Sequence, residues 1–195
     1  MGNAQRGREQ FDKYKGAINT VSFFYKLFPI KMRKQALEKR RNLRGKLGIG
    51  LRYAILKSIS NSIGDNVALF QGVYLLNPEN ISIGNNVSIQ PMTYIECGNE
   101  SGGITIGSNV SIAHGVTIMA TTHCYNDRKI CIKDQGVLAE PVHIEDNVWI
   151  GAKAVVLSGV TVRQGCVIGA GAVVTKSTDL NGVYVGVPAH NIKER

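Results

Sequence analysis

Several features that mark large classes of protein are missing from this sequence of 195 residues. Its four cysteines, Cys97, Cys124, Cys131 and Cys166, have neither the close pairing of a zinc site nor the density of a disulfide scaffold. No apolar run approaches the length of a membrane span, about 20 residues, and the polar, charged residues 1–15 do not resemble a secretory signal. We therefore expect a cytoplasmic protein with reduced thiols.

Acidic residues are scarce in the first third of the chain. Residues 1–58 contain 15 lysines and arginines but only Glu9, Asp12 and Glu38 as acidic residues, so the formal charge of +9 comes from this segment. The remainder is mildly acidic, which argues against a nucleic-acid-binding core and against a nucleic-acid partner. The charge distribution predicts a basic, partly helical extension over residues 1–58.

Residues 17–45 of this extension combine aromatic side chains with many cations. We expect Phe23, Phe24, Leu27 and Phe28 to pack the segment against the main domain while the lysines face water. The alternative is peripheral contact with an anionic membrane surface, at the inner face of the membrane.

From residue 63 onward, aliphatic residues recur at every sixth position, with two short slips and one long break. The successive runs are Ile63, Leu69, Leu75; Ile83, Ile89, Ile95; Ile106, Ile112, Ile118; and Ile144, Ile150, Val156, Val162, Ile168, Val174. Four residues after most of these aliphatics stands a small or β-branched residue, Thr122 among them, and Gly-Asn-type turn sequences recur between the runs.

A period of six fits neither an α-helical stripe nor a long strand. It fits short strands joined by corners, three of which close one triangular coil, so that each aliphatic stacks on its counterpart 18 residues later. The pattern predicts an all-β parallel β-helix over residues 59–190, followed by a short tail at 191–195.

The repeat, together with "NVWIGA", "IGAGAVVTK" and "GVPA" after residue 146, resembles the hexapeptide-repeat acyltransferases. The resemblance implies a left-handed β-helix, acetyl-CoA as co-substrate, no metal requirement, and a homotrimer with active sites between its subunits.

The long break falls at residues 123–142, which are polar and charged, unlike the repeats on either side. A loop of this length that leaves a compact solenoid is usually functional. His123 stands at its start, and an imidazole can take up a proton near neutral pH. The stretch "TTHCYND" resembles the loop-exit motif of sugar O-acetyltransferases, which implies that His123 is the catalytic base.

The stretch most similar to the family implies a binding site for the acetyl donor. Gly151, Ala152, Gly169 and Ala170 would leave a flat surface for the pantetheine arm, and Thr175 and Lys176 would reach the phosphate or adenine end. On spacing alone, the same glycines are explained by corner geometry and Lys176 by a solvated cation.

For the acceptor, Glu96 lies near the position of an acidic group in relatives, and Asn126 and Asp127 lie in the loop. The expected function is acetyl-CoA-dependent O-acetylation of a saccharide, a surface-polysaccharide precursor. Two alternatives remain at this point: acetylation of another small acceptor, such as an amino sugar, serine or an antibiotic, or a non-catalytic β-helix scaffold.

Overall fold

The structure, a computed structural model, describes residues 3–99 and 102–195. Three helices come first: α1 (Asn3–Lys26), α2 (Ile30–Lys39) and α3 (Gly45–Ile59). Short strands follow: β1 Ser62–Ile63, β2 Val67–Leu69, β3 Tyr74–Leu76, β4 Ile81–Ile83, β5 Val87–Ile89, β6 Tyr94–Glu96, β7 Ile104–Ile106, β8 Ser111–Ile112, β9 Thr117–Met119, β10 Thr121–His123, β11 Val137–Ala139, β12 Val142–Ile144, β13 Trp149–Ile150, β14 Val155–Val156, β15 Thr161–Val162, β16 Val167–Ile168, β17 Val173–Val174, β18 Gly182–Val185 and β19 His190–Glu194.

The strands from β1 to β18, apart from β10 and β11, form a three-sided prism of parallel sheets. Sheet A contains β1, β4, β7, β12 and β15; sheet B contains β2, β5, β8, β13, β16 and β18; sheet C contains β3, β6, β9, β14 and β17. One strand from each sheet makes one coil, so that the chain completes coils 1, 2 and 3, leaves the prism through β10 and β11, and returns for coils 4 and 5. β18 begins a further, incomplete coil.

The sixth-position aliphatics fill the interior of the prism. On sheet B, Leu69, Ile89, Ile112, Ile150 and Ile168 stack in register, and none is more than 1% exposed. Burial of these columns is the main stabilising contribution, because no single coil can cover its own apolar side chains. The predicted parallel β-helix is confirmed.

The corners are turned by residues in the left-handed backbone region. Along the edge between sheets A and B, Asn66, Asn86, Asn109 and Asn147 have φ between 54° and 60°, and asparagine tolerates this conformation better than other residues with a Cβ. The Asn66 amide donates to Asn86 Oδ1 (2.9 Å), and the Asn86 amide donates to Asn109 Oδ1 (2.7 Å). The corner asparagines therefore also link successive coils.

Helix α3 covers the first end of the prism. Tyr53 and Leu56 belong to the same buried cluster as the coil aliphatics, and the ring of Phe11 on α1 packs edge-on against Tyr53, with 5.3 Å between ring centroids. Buried Arg52 donates from Nη1 to the carbonyl of Leu43 (2.6 Å) and from Nε to that of Leu69 (3.0 Å). Burial lowers the pKa of this guanidinium. Arg52 thus joins the helices to the first coil.

The expected packing of Phe23, Phe24, Leu27 and Phe28 against the main domain is wrong. All four side chains are between 48% and 66% exposed. The physical reason is that α3, which follows them in the chain, already covers the end of the prism. Within residues 3–99 and 102–195, no helix combines the length and apolar character needed to cross a bilayer.

Residues 191–194 do not form a free tail. They lie in β19, which runs antiparallel to β18 and pairs with it from Gly182 to Val185. The C-terminal strands therefore close the second end of sheet B.

Candidate active site

The predicted loop is a twisted two-stranded ribbon that projects from the prism at the corner between sheets C and A. β10 pairs antiparallel with β11, and Thr121, Thr122 and His123 face Ala139, Leu138 and Val137 respectively. We refer to residues 121–139 as the ribbon. It begins at Thr121, two residues before the predicted start, and the chain rejoins sheet A at β12.

His123 is the last residue of β10 and is exposed to solvent. Because side chains alternate along a strand, His123 lies on the same side of the ribbon as Thr121, and Thr122 lies on the other side. The imidazole therefore stands on the ribbon, at the end of its first strand. Thr122 is likewise exposed, whereas Val110 and Val116, which have the same spacing in coil 3, are buried.

Glu96, predicted to contact the acceptor, lies at the end of β6 on the outer face of sheet C. Its carboxylate accepts hydrogen bonds from the Thr121 hydroxyl and from Tyr94 Oη, the latter at 3.3 Å. Burial, with a smaller effect of the neighbouring carboxylate charge, raises the pKa of Tyr94, so its phenol remains a donor. Glu96 is thus hydrogen-bonded to Thr121, the first residue of the ribbon. His123, the candidate proton acceptor, lies two residues further along the same strand.

Sequence reasoning missed Thr121 and Tyr94. The missed signal is the period of two within "YIE" and "TTH", which puts Tyr94 beside Glu96 and Thr121 beside His123. Tyr94 also stacks in parallel on Tyr74 of the preceding coil, with 5.2 Å between ring centroids, and Arg41 of the segment after α2 lies 5.2 Å from the Tyr74 ring.

Asn126 and Asp127 lie near the tip of the ribbon, and both are exposed. Asp127 Oδ1 accepts a hydrogen bond from the Lys129 amide (2.8 Å). Gln135, which the sequence did not single out, bonds the Asp127 main chain from both sides, at 3.0 and 2.8 Å. The Asp127 carboxylate therefore stabilises a turn, whereas no such structural bond accounts for the place of Asn126 among the residues that the structure describes.

Gly151, Ala152, Gly169 and Ala170 lie on the edge between sheets B and C, in coils 4 and 5. The Gly151 and Gly169 amides donate to carbonyls of the next coil, each at 2.7 Å. A Cβ at Gly151 would lie 2.6 Å from the backbone nitrogen of Ala170. These glycines are therefore required by the close approach of the coils, and their N–H groups are not available to a ligand.

Thr175 and Lys176 lie on a different edge of the prism. Both are exposed and follow β17, at the corner between sheets C and A. The register of β9, β14 and β17 aligns Lys176 with Ala120, two coil spacings, or about 10 Å, from the base of the ribbon. The predicted donor-site residues are thus divided between the two edges that border sheet C, and only Thr175 and Lys176 share an edge with His123.

Most of the remaining candidate groups lie outside this arrangement. His143 is exposed on the outer face of sheet A, and Trp149 is 55% exposed on the outer face of sheet B. His114 is exposed at the edge between sheets B and C, where the register of β8 and β13 aligns it with Ala152. All four cysteines are free thiols, and burial raises the pKa of Cys97 to about 12. In the described part of the chain, His, Cys, Asp and Glu side chains form no group of three or more that could hold a metal ion.

Known proteins share this architecture. A family model described as the hexapeptide repeat of succinyl-transferase matches residues 141–176. Galactoside O-acetyltransferase of Escherichia coli strain K12 is 35% identical over 144 residues, which cover 73% of this chain and 68% of that enzyme.

Two solved structures extend the similarity. A maltose O-acetyltransferase from Clostridium difficile 630 is 30% identical, with a TM-score of 0.72 and 84% of each chain covered. A galactoside acetyltransferase in complex with coenzyme A is 29% identical, with a TM-score of 0.71, covering 85% of this chain and 80% of that one. The chain therefore belongs to the hexapeptide-repeat acyltransferases, and it is an acyltransferase with their left-handed parallel β-helix.

Proposed function

We propose that this acyltransferase transfers the acetyl group of acetyl-CoA to a hydroxyl of a saccharide, with His123 as the general base. The observation that carries the proposal is the position of His123, an exposed imidazole on a ribbon joined through Thr121 to Glu96. It occurs in a chain related to a galactoside and a maltose O-acetyltransferase. The galactoside enzyme was solved with coenzyme A, which supports a CoA thioester as donor.

A sugar hydroxyl is a weak nucleophile, so removal of its proton must accompany its attack. In the proposed reaction His123 accepts that proton while the hydroxyl oxygen forms a bond to the thioester carbonyl carbon. The tetrahedral intermediate then breaks its carbon–sulfur bond, the protonated imidazole gives the proton to the departing thiolate, coenzyme A leaves as the thiol, and the ester remains on the sugar. Because the Gly151 and Gly169 amides are engaged between coils, the donors that stabilise the oxyanion must be other groups.

The division of donor-site residues between two edges supports a site formed by more than one subunit. We propose a homotrimer in which the ribbon of one subunit faces the Gly151–Ala170 edge of the next, with Thr175 and Lys176 near the phosphate end of the donor. The ribbon carries the exposed apolar residues Val137 and Leu138, which association would remove from water. Light scattering of the purified protein would measure this, and a monomeric mass at assay concentration would contradict it.

On the acceptor side we propose that Glu96 and Asn126 contact sugar hydroxyls, with Asp127 shaping the turn that presents Asn126. The proposed acceptor is a saccharide precursor of a surface polysaccharide. These groups suit this role because a carboxylate accepts several hydrogen bonds from neighbouring hydroxyls and an amide both accepts and donates them.

The test measures thiol release from acetyl-CoA with a panel of galactosides, maltose, amino sugars and serine, for the wild type and His123→Ala. Loss of a general base should lower the rate with the preferred acceptor by about 10²- to 10⁴-fold. His143→Ala, which removes an exposed imidazole from the outer face of sheet A, is the matched control and should keep the wild-type rate.

Unchanged turnover of His123→Ala would remove His123 as the base. Preference for an amino sugar or serine over every neutral sugar would replace the O-acetylation of saccharides by the alternative reaction. No thiol release with any acceptor in the panel would contradict the proposed acceptor class.

A further inference from the structure

The turn between α1 and α2 exposes an unusual concentration of large apolar side chains. We call residues 23–32 the apex. Six of its ten residues are large apolar side chains between 42% and 66% exposed: Phe23, Phe24, Leu27, Phe28, Ile30 and Met32. Scattered exposed apolar residues are normal on a protein surface, but a contiguous exposed cluster marks an interaction site.

The apex is held in place by its neighbours rather than by its own apolar side chains. Ser22, directly before it, is only 3% exposed, and Arg33, directly after it, donates a hydrogen bond to the Ser58 carbonyl of α3. Within the apex, the Leu27 and Phe28 amides bond the carbonyls of Phe24 and Tyr25 at 3.2 and 3.1 Å. The helical hairpin thus presents an anchored tip on which Phe23, Phe24 and Phe28 are about half exposed.

The charges around the apex select its partner. Lys26 and Lys31 are exposed among the apolar residues, and no acidic residue occurs between Asp12 and Glu38. The cations on the protein side of α2 are already engaged, since Lys34 pairs with Glu79 at 2.6 Å and Arg33 with the Ser58 carbonyl. Aromatic residues interleaved with exposed lysines, in a segment that contains no carboxylate, are the chemistry of an anionic lipid interface rather than of a mixed-charge protein surface.

We propose that the apex inserts into the interfacial region of a membrane that contains anionic lipid, with its aromatic residues among the acyl chains and Lys26 and Lys31 at the headgroups. Lipid then covers the exposed apex, and the enzyme is held at the membrane surface as a peripheral protein. This inference does not depend on the acceptor or on the role of His123.

The test is co-sedimentation of the full-length protein with vesicles of pure phosphatidylcholine and of phosphatidylcholine mixed with phosphatidylglycerol. We expect binding to the mixed vesicles that weakens as salt is added. Phe24→Ser combined with Phe28→Ser should lower the partition coefficient about 100-fold, or about tenfold for each aromatic ring removed. Lys26→Gln combined with Lys31→Gln should lower it by about fivefold per lysine.

Leu180→Ser is the matched control, because it removes a 59% exposed apolar side chain at the opposite end of the prism, and it should bind vesicles like the wild type. Thermal melting checks that each variant is folded, and light scattering measures its oligomeric mass. Any of three results would overturn the proposal: no binding by the wild type, equal binding to the two kinds of vesicle, or unchanged binding by the double phenylalanine variant. A fall in oligomeric mass caused by that variant, without vesicle binding by the wild type, would show instead that a second copy covers the apex.

Discussion

Breaking the hydrogen bond between Thr121 and Glu96 should loosen the ribbon while leaving the prism folded. The bond connects the first residue of the ribbon to the outer face of sheet C. A hydrogen bond to a charged acceptor contributes about 1.5–3 kcal/mol, and water competes for these half-buried groups, so we expect about 1–2 kcal/mol here. Thr121→Val keeps the shape of the side chain and removes the donor, and it should therefore raise the local opening constant of the ribbon about 5- to 30-fold.

Hydrogen exchange would measure this opening at the Cys124 amide, which donates to the Gly136 carbonyl at 3.0 Å across the ribbon. The Val155 amide, which bonds the Ala172 carbonyl at 2.8 Å within the prism, is the internal control and should exchange at the wild-type rate. Because His123 lies two residues beyond Thr121, the acetyl-transfer rate should fall as well, with little change in the KM for acetyl-CoA.

A double-mutant cycle with Glu96→Gln isolates the bond from other effects of each substitution. If the bond holds the ribbon, the second substitution should add little to the exchange rate once the first is present. Fully additive effects, or a Cys124 exchange rate that neither variant changes, would refute the reasoning.

Three further predictions concern the stability of the prism. Arg52→Met should lower the free energy of unfolding by about 2–4 kcal/mol, because it leaves buried carbonyls without their donor. Arg44→Met, at an exposed position, should change the free energy of unfolding by less than about 0.5 kcal/mol. Urea denaturation measures both values. Gly151→Ala should lower the stability by about 1–3 kcal/mol, because the added Cβ clashes with the next coil. Gly16→Ala, whose Cβ would meet nothing within 4 Å, should instead stabilise α1 by about 0.5–1 kcal/mol. Equal melting temperatures for these two variants would contradict the packing argument. Burial raises the pKa of Tyr53 to about 12. The contribution of the protonated phenol to folding stability is therefore intact below its unfolded-state pKa of about 10, and it is lost as the pH rises through the folded-state pKa. Tyr53→Phe should flatten this alkaline decrease in stability, which denaturation between those two pH values measures.

The interior of the prism was predictable because its pattern has one cause. Each aliphatic of the repeat faces the same apolar column, so the register observed for Ile112, Ile150 and Ile168 follows from spacing alone. The prediction failed where the chain left the column. Thr122 continues the pattern of a small or β-branched residue four places after an aliphatic, but the last residue directed into the core is Ala120. Residue types alone cannot distinguish a strand of the prism from the first strand of the ribbon.

Predictions that needed knowledge of neighbouring elements were less successful. Aromatic residues such as those of the apex usually pack against a core, so the sequence predicted burial. Phe24 and Phe28 remain exposed because α3 already covers the end of the prism. Gly151 and Gly169 were expected to leave a flat surface for the donor, and spacing alone could not show how closely the next coil approaches them. The contact between Glu96 and Thr121 joins residues 25 positions apart, and it depends on the corner at which the ribbon departs.

A solenoid of parallel strands has no intrinsic length, since each coil offers the same unpaired backbone groups to the next. At the first end α3 lies across these groups, and at the second the antiparallel hairpin of β18 and β19 occupies them. β19 then presents Lys193 and Glu194 at the outermost edge, and charged side chains there discourage a further strand from adding. The helices at the first end and the hairpin at the second therefore prevent end-to-end polymerisation of the prism along its axis. This role is separate from catalysis, and truncations that remove either segment should lower the solubility of the protein.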